Sequence, residues 1–194
     1  IGIAGASSKM LVIKGGTIDT TGTMMMIISL SLGAIVGEML DLDGKMIHFG
    51  EWLKIKTGNA KDKKFVDGFV TASLTVCIGA MAVVGSIEDG IHADHSILFA
   101  KAILDFVIIL VMSATLGKGC LFSFVPVGLF QGTITLLASL ISPFITASAM
   151  SALSYIGSIL IFCVGVNLVF NTKIRVANLL PALIVACICT VFPL

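Results

Sequence analysis

The chain has 194 residues, 57% of them hydrophobic and only 12% charged, with a formal net charge of +1. A water-soluble domain carries about 25% charged residues, so this chain has too few polar groups to cover a surface in water, and lipid is the solvent its composition fits. The small net charge excludes a strongly basic nucleic-acid surface, and no nucleic-acid partner is expected.

Residues 1–13 are apolar and rich in small side chains. They are shorter than the roughly 20 residues a spanning helix needs, so they read as the outer end of a helix closed by Lys14-Gly15-Gly16. No charged n-region and no small-residue cleavage site opens the chain, so no signal peptide is read, and a first N-terminal helix is expected to be missing. Thr17 to Thr23 reads as a polar turn, and Thr23 to Leu40 as a short span. Within it Ser29, Gly33 and Gly37 repeat every four residues, a stripe that lets a neighbouring helix come close.

Asp41 to Lys64 is the long polar segment and holds Lys45, Lys54, Lys56, Lys61, Lys63 and Lys64. Leu42, Met46, Phe49 and Leu53 recur at helical spacing beside Trp52. That pattern predicts an interfacial amphipathic helix near 41–58, its apolar face in lipid and its lysines outward.

Phe65 to Ser86 reads as a continuous span. Gly68, Ala72, Thr75, Gly79, Ala82 and Ser86 lie on it at alternating steps of four and three, a face for helix packing or for lining a narrow passage. Ile87 to His95 reads as a loop bearing Glu88, Asp89, His92, Asp94 and His95. Those residue types suit a divalent metal, but their spacing matches no established ligand pattern, and no metal is expected.

Ser96 to Leu116 is the next span, with Lys101 and Asp105 inside it. Gly117-Lys118-Gly119 turns, and Cys120 to Ile141 spans again, with Gln131 near its middle and a kink expected at Pro126 and Gly128. After the Ser142-Pro143 turn, Ala149 to Phe170 spans, with Asn167 near its end. Asn178 to Leu194 is a last short span with Pro181 in its first turn, where proline is tolerated. Gly33 to Gly37, GAIVG, has a faint echo in Ala182 to Ala186, ALIVA. Five helix steps separate them, so they would run in opposite directions, as in inverted repeats; the match is short, and chance is the simpler explanation. Cys77, Cys120, Cys163, Cys187 and Cys189 sit in apolar segments without a C-x-x-C and read as buried small hydrophobes.

When the loops are alternated, Lys118, Lys173, Arg175 and the six lysines of 45–64 fall on one side. Positively charged loops face the cytoplasm, which puts the acidic histidine loop and the C-terminus outside.

The stretches GAIVGEMLDLDGKM, FVDGFVTASLTVCIGAMAVVGSIEDGI, LFAKAILDF and FQGTIT resemble the YdfK/YqgA-like prokaryotic membrane proteins, a domain of unknown function numbered 554. The likeness covers nearly the whole chain. It implies a multi-pass protein of the bacterial inner membrane, and members usually begin with one more hydrophobic segment. It supplies no substrate and no catalytic residues.

Asp105 is the sharpest chemical feature. It lies nine residues into its span, on the order of 14 Å deep at 1.5 Å per residue. An ionised aspartate there costs a few kcal/mol or more, so such residues face a partner or a wet cavity and mark ion or proton paths. Lys101, one turn away, is the available counter-ion, and Gln131, Asn167 and Thr75 are the other polar candidates. No phosphate loop, nucleophile elbow or zinc helix is present, so no enzyme and no cofactor is expected.

The sequence therefore predicts a single all-α membrane domain over 1–194. It is a polytopic helix bundle with about six full spans, a partial N-terminal one and the interfacial helix. The expected function is transport of a small solute or ion at a polar site around Asp105 and Gln131. The alternative is a structural or regulatory membrane subunit whose small-residue stripes serve assembly, including a homo-oligomer. An intramembrane enzyme is the remote third reading.

Overall fold

The computed structural model describes Ser7 and residues 11–14, 17–20, 22–170 and 172–191. A short hairpin comes first, β1 (Leu11–Lys14) and β2 (Thr17–Thr20), paired antiparallel with Leu11 opposite Thr20 and Lys14 opposite Thr17. This corrects the expected helix end and polar turn. Two glycines set between β-branched runs are a hairpin signal, and Val12, Ile13, Thr17 and Ile18 favour strand. The rest of the expected helix over 1–13 lies outside the described residues, Ser7 excepted.

The described remainder is helical: α1 (Thr23–Leu40), α2 (Leu42–Lys56), α3 (Phe65–Cys77), α4 (Ala80–His92), α5 (Ser96–Leu116), α6 (Phe124–Leu136), α7 (Ala138–Ile141), α8 (Ala147–Phe170) and α9 (Pro181–Val191). Short 3-10 segments cover Lys118–Ser123, Ser142–Phe144 and Val176–Leu179. Several hydroxyls inside these helices are met locally. Ser73, Thr133 and Ser158 each donate to the carbonyl four residues back, at 2.6, 2.6 and 2.7 Å, which suits helices without water around them.

Among the described residues, four helices are long and apolar enough to cross a membrane: Thr23–Leu40, Ser96–Leu116, Lys118–Leu136 and Ala147–Phe170. A fifth crossing is available if the pair 65–92, bent by 62°, counts as one span. The expectation of six full spans is corrected on two counts. The last apolar helix, Val176–Thr190, is too short for the span expected over 178–194. The span expected over 65–86 is not continuous. Ile78 (φ −79°, ψ 109°) and Gly79 (φ 163°, ψ 147°) are extended, so the helix stops at Cys77 and restarts at Ala80. A β-branched residue followed by glycine is a poor helix pair.

The loop expected over 87–95 is also shorter than read. α4 continues through Glu88, Asp89 and His92 and ends where Ala93 turns left-handed, its N–H bonded to the Asp89 and Glu88 carbonyls. Pro126 does not kink a helix midway. It stands in the first turn of α6, where the backbone N–H has no helical partner to lose.

Contacts divide the chain into two compact units, Asp43–Ser142 and the pair of segments Ile1–Leu42 and Pro143–Leu194. In the second of these, α1 packs antiparallel on the 3-10 segment and α9. A methyl at Gly33 would meet the Ala182 backbone at 2.4 Å, and one at Gly37 would sit 1.8 Å from the Asn178 carbonyl oxygen. The two helices run in opposite directions, and of the faint repeat only Gly33 and Ala182, the first residue of each half, meet.

In the unit 43–142 the face Met46, Phe49 and Leu53 of α2 packs on Phe65 and Phe69 of α3. The helix forms where the sequence places it, but this stripe meets protein instead of lipid. Gly68 of α3 abuts the Leu116 carbonyl at the end of α5, and Gly119 abuts the Phe65 carbonyl. Ala72, Met112 and Cys120 form the core between them.

Candidate functional site: a polar cavity beside α5

α5 holds its charges in place by helical geometry alone. Lys101 and Asp105 are four residues apart and therefore neighbours on one face, and Lys101 Nζ donates to Asp105 Oδ2. The lysine side chain is 7% exposed and the aspartate 22%, so the carboxylate is the more accessible partner. Another face of α5 is bare apolar surface, with Phe99, Ile103, Phe106 and Leu110 all exposed, which is what a lipid-facing helix offers.

A cavity of about 270 Å³ opens beside the pair. Its polar lining is Lys101, Asp105, Ser123 and Gln131, set in apolar walls from α3, α5, α6 and the 3-10 segment. Ser123 is 3% exposed. The Gln131 Nε2 is buried and has no hydrogen-bond partner among the described residues. The glycine-assisted contact of α3 with the 3-10 segment and with the end of α5 brings these elements together. Cys77, the last residue of α3, follows Val76 of the cavity wall.

Three of the residues singled out in the sequence thus converge: Asp105, Lys101 and Gln131. Two do not. Asn167 closes a surface turn, its Nδ2 donating to the Ile174 carbonyl at 2.8 Å and its Oδ1 accepting from Ile174 N at 3.0 Å and Thr172 Oγ1 at 2.7 Å. Thr75 Oγ1 donates to the Thr71 carbonyl on its own helix at 2.7 Å. Ser123 and Cys77 were not singled out by sequence. Ser123 follows an apolar turn with no pattern to mark it, and Cys77 looks like any buried small residue.

The small-residue stripe divides at the break in 65–92. Gly68 and Ala72 pack as expected of small residues, and Ala82 and Ser86 on α4 are fully buried. Gly79 faces open space, with nothing within 4 Å of an added methyl. The close approaches on α4 are at Gly85 and Gly90, where an added methyl would meet Leu98 at 2.9 Å and the Thr135 carbonyl oxygen at 2.4 Å.

The acidic and histidine residues pair off among themselves. Glu88 Oε2 meets His92 Nδ1 at 2.7 Å, and Asp89 meets His95. Asp94 Oδ1 accepts from Ser96 N at 2.9 Å, opening α5 with an Asx turn. The Ser96 hydroxyl and then its amide hold the Asp94 carboxyl below the usual carboxylate range.

A family model described as a protein of unknown function, DUF554, matches residues 1–191. "Uncharacterized membrane protein YdfK" of Bacillus subtilis is 27% identical over 168 residues, covering 86% of this chain and 70% of the relative. "Uncharacterized protein YqgA" of Escherichia coli is 28% identical over 165 residues, covering 83% of this chain and 70% of the relative. No solved structure matches the chain at a significant level.

Proposed function

We propose, for a chain that belongs to the DUF554 family, a multi-pass protein of the bacterial inner membrane that moves a small solute or ion through a polar site at Lys101, Asp105 and Gln131. The observation that carries this reading is the cavity itself. It sets a buried ion pair and an unmet amide against apolar walls, in a chain with four membrane-length helices among its described residues. Charged groups at that depth are expensive, and a membrane protein that keeps them next to open volume has a use for them. The break at Ile78–Gly79 adds support, because discontinuous helices accompany binding sites in transporters. A relative named a membrane protein favours the membrane location.

The test is uptake by protein reconstituted in vesicles, against a panel of labelled solutes and ions, for the parent and Asp105→Asn. Transport by the parent and its loss in a folded Asp105→Asn variant is the expected result. A parent inactive toward every class of solute would sink the reading.

A structural subunit is the second reading, and one observation favours it: Lys101 and Asp105 already satisfy each other on one helix. On that reading Asp105→Asn leaves a buried unpaired ammonium and costs about 3–5 kcal/mol. The Lys101→Met, Asp105→Asn double variant then recovers stability and performs like the parent.

A further inference from the structure

A second cleft, of about 350 Å³, lies wholly within the unit formed by Ile1–Leu42 and Pro143–Leu194. Its polar lining is Glu38 of α1, Lys173 and Arg175 of the connection after α8, and Asn178 of the 3-10 segment. Two cations against one carboxylate leave the lining with a surplus of one positive charge. Arg175 Nη1 donates to Glu38 Oε2 at 3.1 Å, with both side chains more than half exposed. Lys173 is exposed and has no ion-pair partner among the described residues. Hydrogen bonds hold the connection that carries the cations. Asn167 ties down Thr172 and Ile174, Val176 N donates to the Ile174 carbonyl at 2.9 Å, and Asn178 N donates to the Arg175 carbonyl at 3.0 Å. The cleft also has a defined place along the helices. α1 ends at Leu40, two residues after Glu38, and α8 ends at Phe170, three residues before Lys173. Both helices are long enough to cross a membrane, so the cleft stands where two spans leave the hydrocarbon. Val36 and Met39 on α1 and Val169 and Phe170 on α8 present bare apolar surface there.

We propose that this cleft binds the headgroup of an anionic phospholipid with a single phosphodiester, such as phosphatidylglycerol. The site is independent of the polar cavity beside α5. The phosphate docks between Lys173 and Arg175. Arg175 gives one of its five N–H donors to Glu38 and keeps the others for phosphate oxygens, and Lys173 adds an ammonium with three more. An exposed ion pair contributes little, so sharing Arg175 with a phosphate breaks no costly contact. Net charge selects the lipid. One negative charge cancels the surplus on the lining, whereas a zwitterionic headgroup leaves it uncompensated. The apolar surface at the ends of α1 and α8 selects a lipid over a free phosphate ester, because acyl chains can lie against it while the headgroup is held. Basic pockets at the ends of spanning helices hold anionic headgroups on the same principle.

The experiment is native mass spectrometry of the whole chain in detergent, titrated with phosphatidylglycerol, phosphatidylethanolamine and phosphatidylcholine of equal acyl composition. The parent is expected to retain one phosphatidylglycerol about fivefold more tightly than either zwitterionic lipid. Lys173→Gln weakens that first binding about fivefold, and Lys173→Gln with Arg175→Gln abolishes the preference. Lys173 is exposed and unpaired among the described residues, so its variant tests the site without disturbing the fold. Glu38→Gln removes the one negative charge of the lining and widens the preference. Lys61→Gln with Lys63→Gln, which removes two exposed lysines outside the cleft, leaves the first binding unchanged. Equal retention of all three lipids overturns the proposal, and so does loss of the preference in Glu38→Gln. An effect of the Lys61, Lys63 pair as large as that of Lys173 and Arg175 overturns it in favour of a diffuse positive field. Displacement of the lipid by an equal concentration of glycerophosphoglycerol, the same headgroup without acyl chains, assigns the cleft to a soluble phosphate ester and overturns the lipid.

Discussion

Gly37 and Gly79 both belong to small-residue stripes in the sequence, but their surroundings differ. At Gly37 an added methyl would lie 1.8 Å from the Asn178 carbonyl oxygen, a backbone atom that has no side-chain freedom to yield. At Gly79 nothing stands within 4 Å, and the extended backbone there admits any residue. Overpacking costs about 1–3 kcal/mol in a core that can relax. Gly37→Leu is therefore expected to cost about 3 kcal/mol or more, and Gly79→Leu about 0.5 kcal/mol or less. Thermal unfolding of both variants in detergent checks the contrast, and equal melting would show that α1 does not cross the 176–179 segment so closely. Asp94 gives the pH prediction at this scale. Its carboxyl is held below the ordinary value of about 4, so the folded state favours the charged form. That contribution is present above the unfolded value and is lost as pH falls through the lower folded one. Amides in the first turn of α5 should therefore lose protection from hydrogen exchange below about pH 4, beyond the intrinsic change in exchange rate. Asp94→Asn keeps the turn without the titration and should show no such step. Identical profiles for the two proteins would dismiss the carboxylate as the cause.

The elements were legible in the sequence wherever a single period ran unbroken between turn residues. α1 and α5 begin and end where hydropathy places them, Thr23–Leu40 and Ser96–Leu116. The i, i+4 rule alone likewise puts Lys101 beside Asp105. The break at Ile78–Gly79 was not legible, because its residues are as apolar and small as those around it. Hydropathy reports solvent preference and is blind to backbone dihedrals. The hairpin is hidden for the converse reason: in the sequence, a Gly15-Gly16 pair after an apolar run reads equally well as the end of a helix. α2 was found, but its partner was not. A stripe of Met46, Phe49 and Leu53 says that one face is buried, and both lipid and Phe69 would satisfy it. Leu53→Ala is thus expected to cost about 2–5 kcal/mol through the cavity it leaves against Phe65 and Phe69. Unfolding of this variant at the parent's midpoint would mean the contact contributes nothing. Trp52, the single tryptophan, stacks on Phe49 at 5.8 Å and is 52% exposed. At a membrane interface its fluorescence should be quenched more by lipids brominated near the headgroup than by deeply brominated lipids or aqueous iodide. Quenching by iodide alone would place α2 in water.

At the scale of the whole molecule, orientation depends on the bent pair. If Phe65–Cys77 and Met81–His92 together cross the membrane, alternation puts the six lysines of 45–64, Lys118, Lys173 and Arg175 on one side. If the pair enters and leaves by the same face, every later segment changes side. Lys118, Lys173 and Arg175 then part from the lysines of 45–64. Segregation of Lys and Arg to the cytoplasm favours the crossing. The angle does not decide it, because a 62° bend is compatible with either path. Reporters inserted after Lys64, between Ala93 and His95, and after Arg175 test the choice. The expected readings are cytoplasmic, external and cytoplasmic. A cytoplasmic reading at 93–95 with an external one after Arg175 would establish the re-entrant path and overturn the orientation. The choice also bears on the polar site. Asp105 lies nine residues into α5 from the 93–95 turn, on the order of 14 Å along the helix, so the side on which that turn stands fixes the end of the helix from which its depth is counted. An external turn sets Asp105 and Lys101 nearer the outside than the cytoplasm.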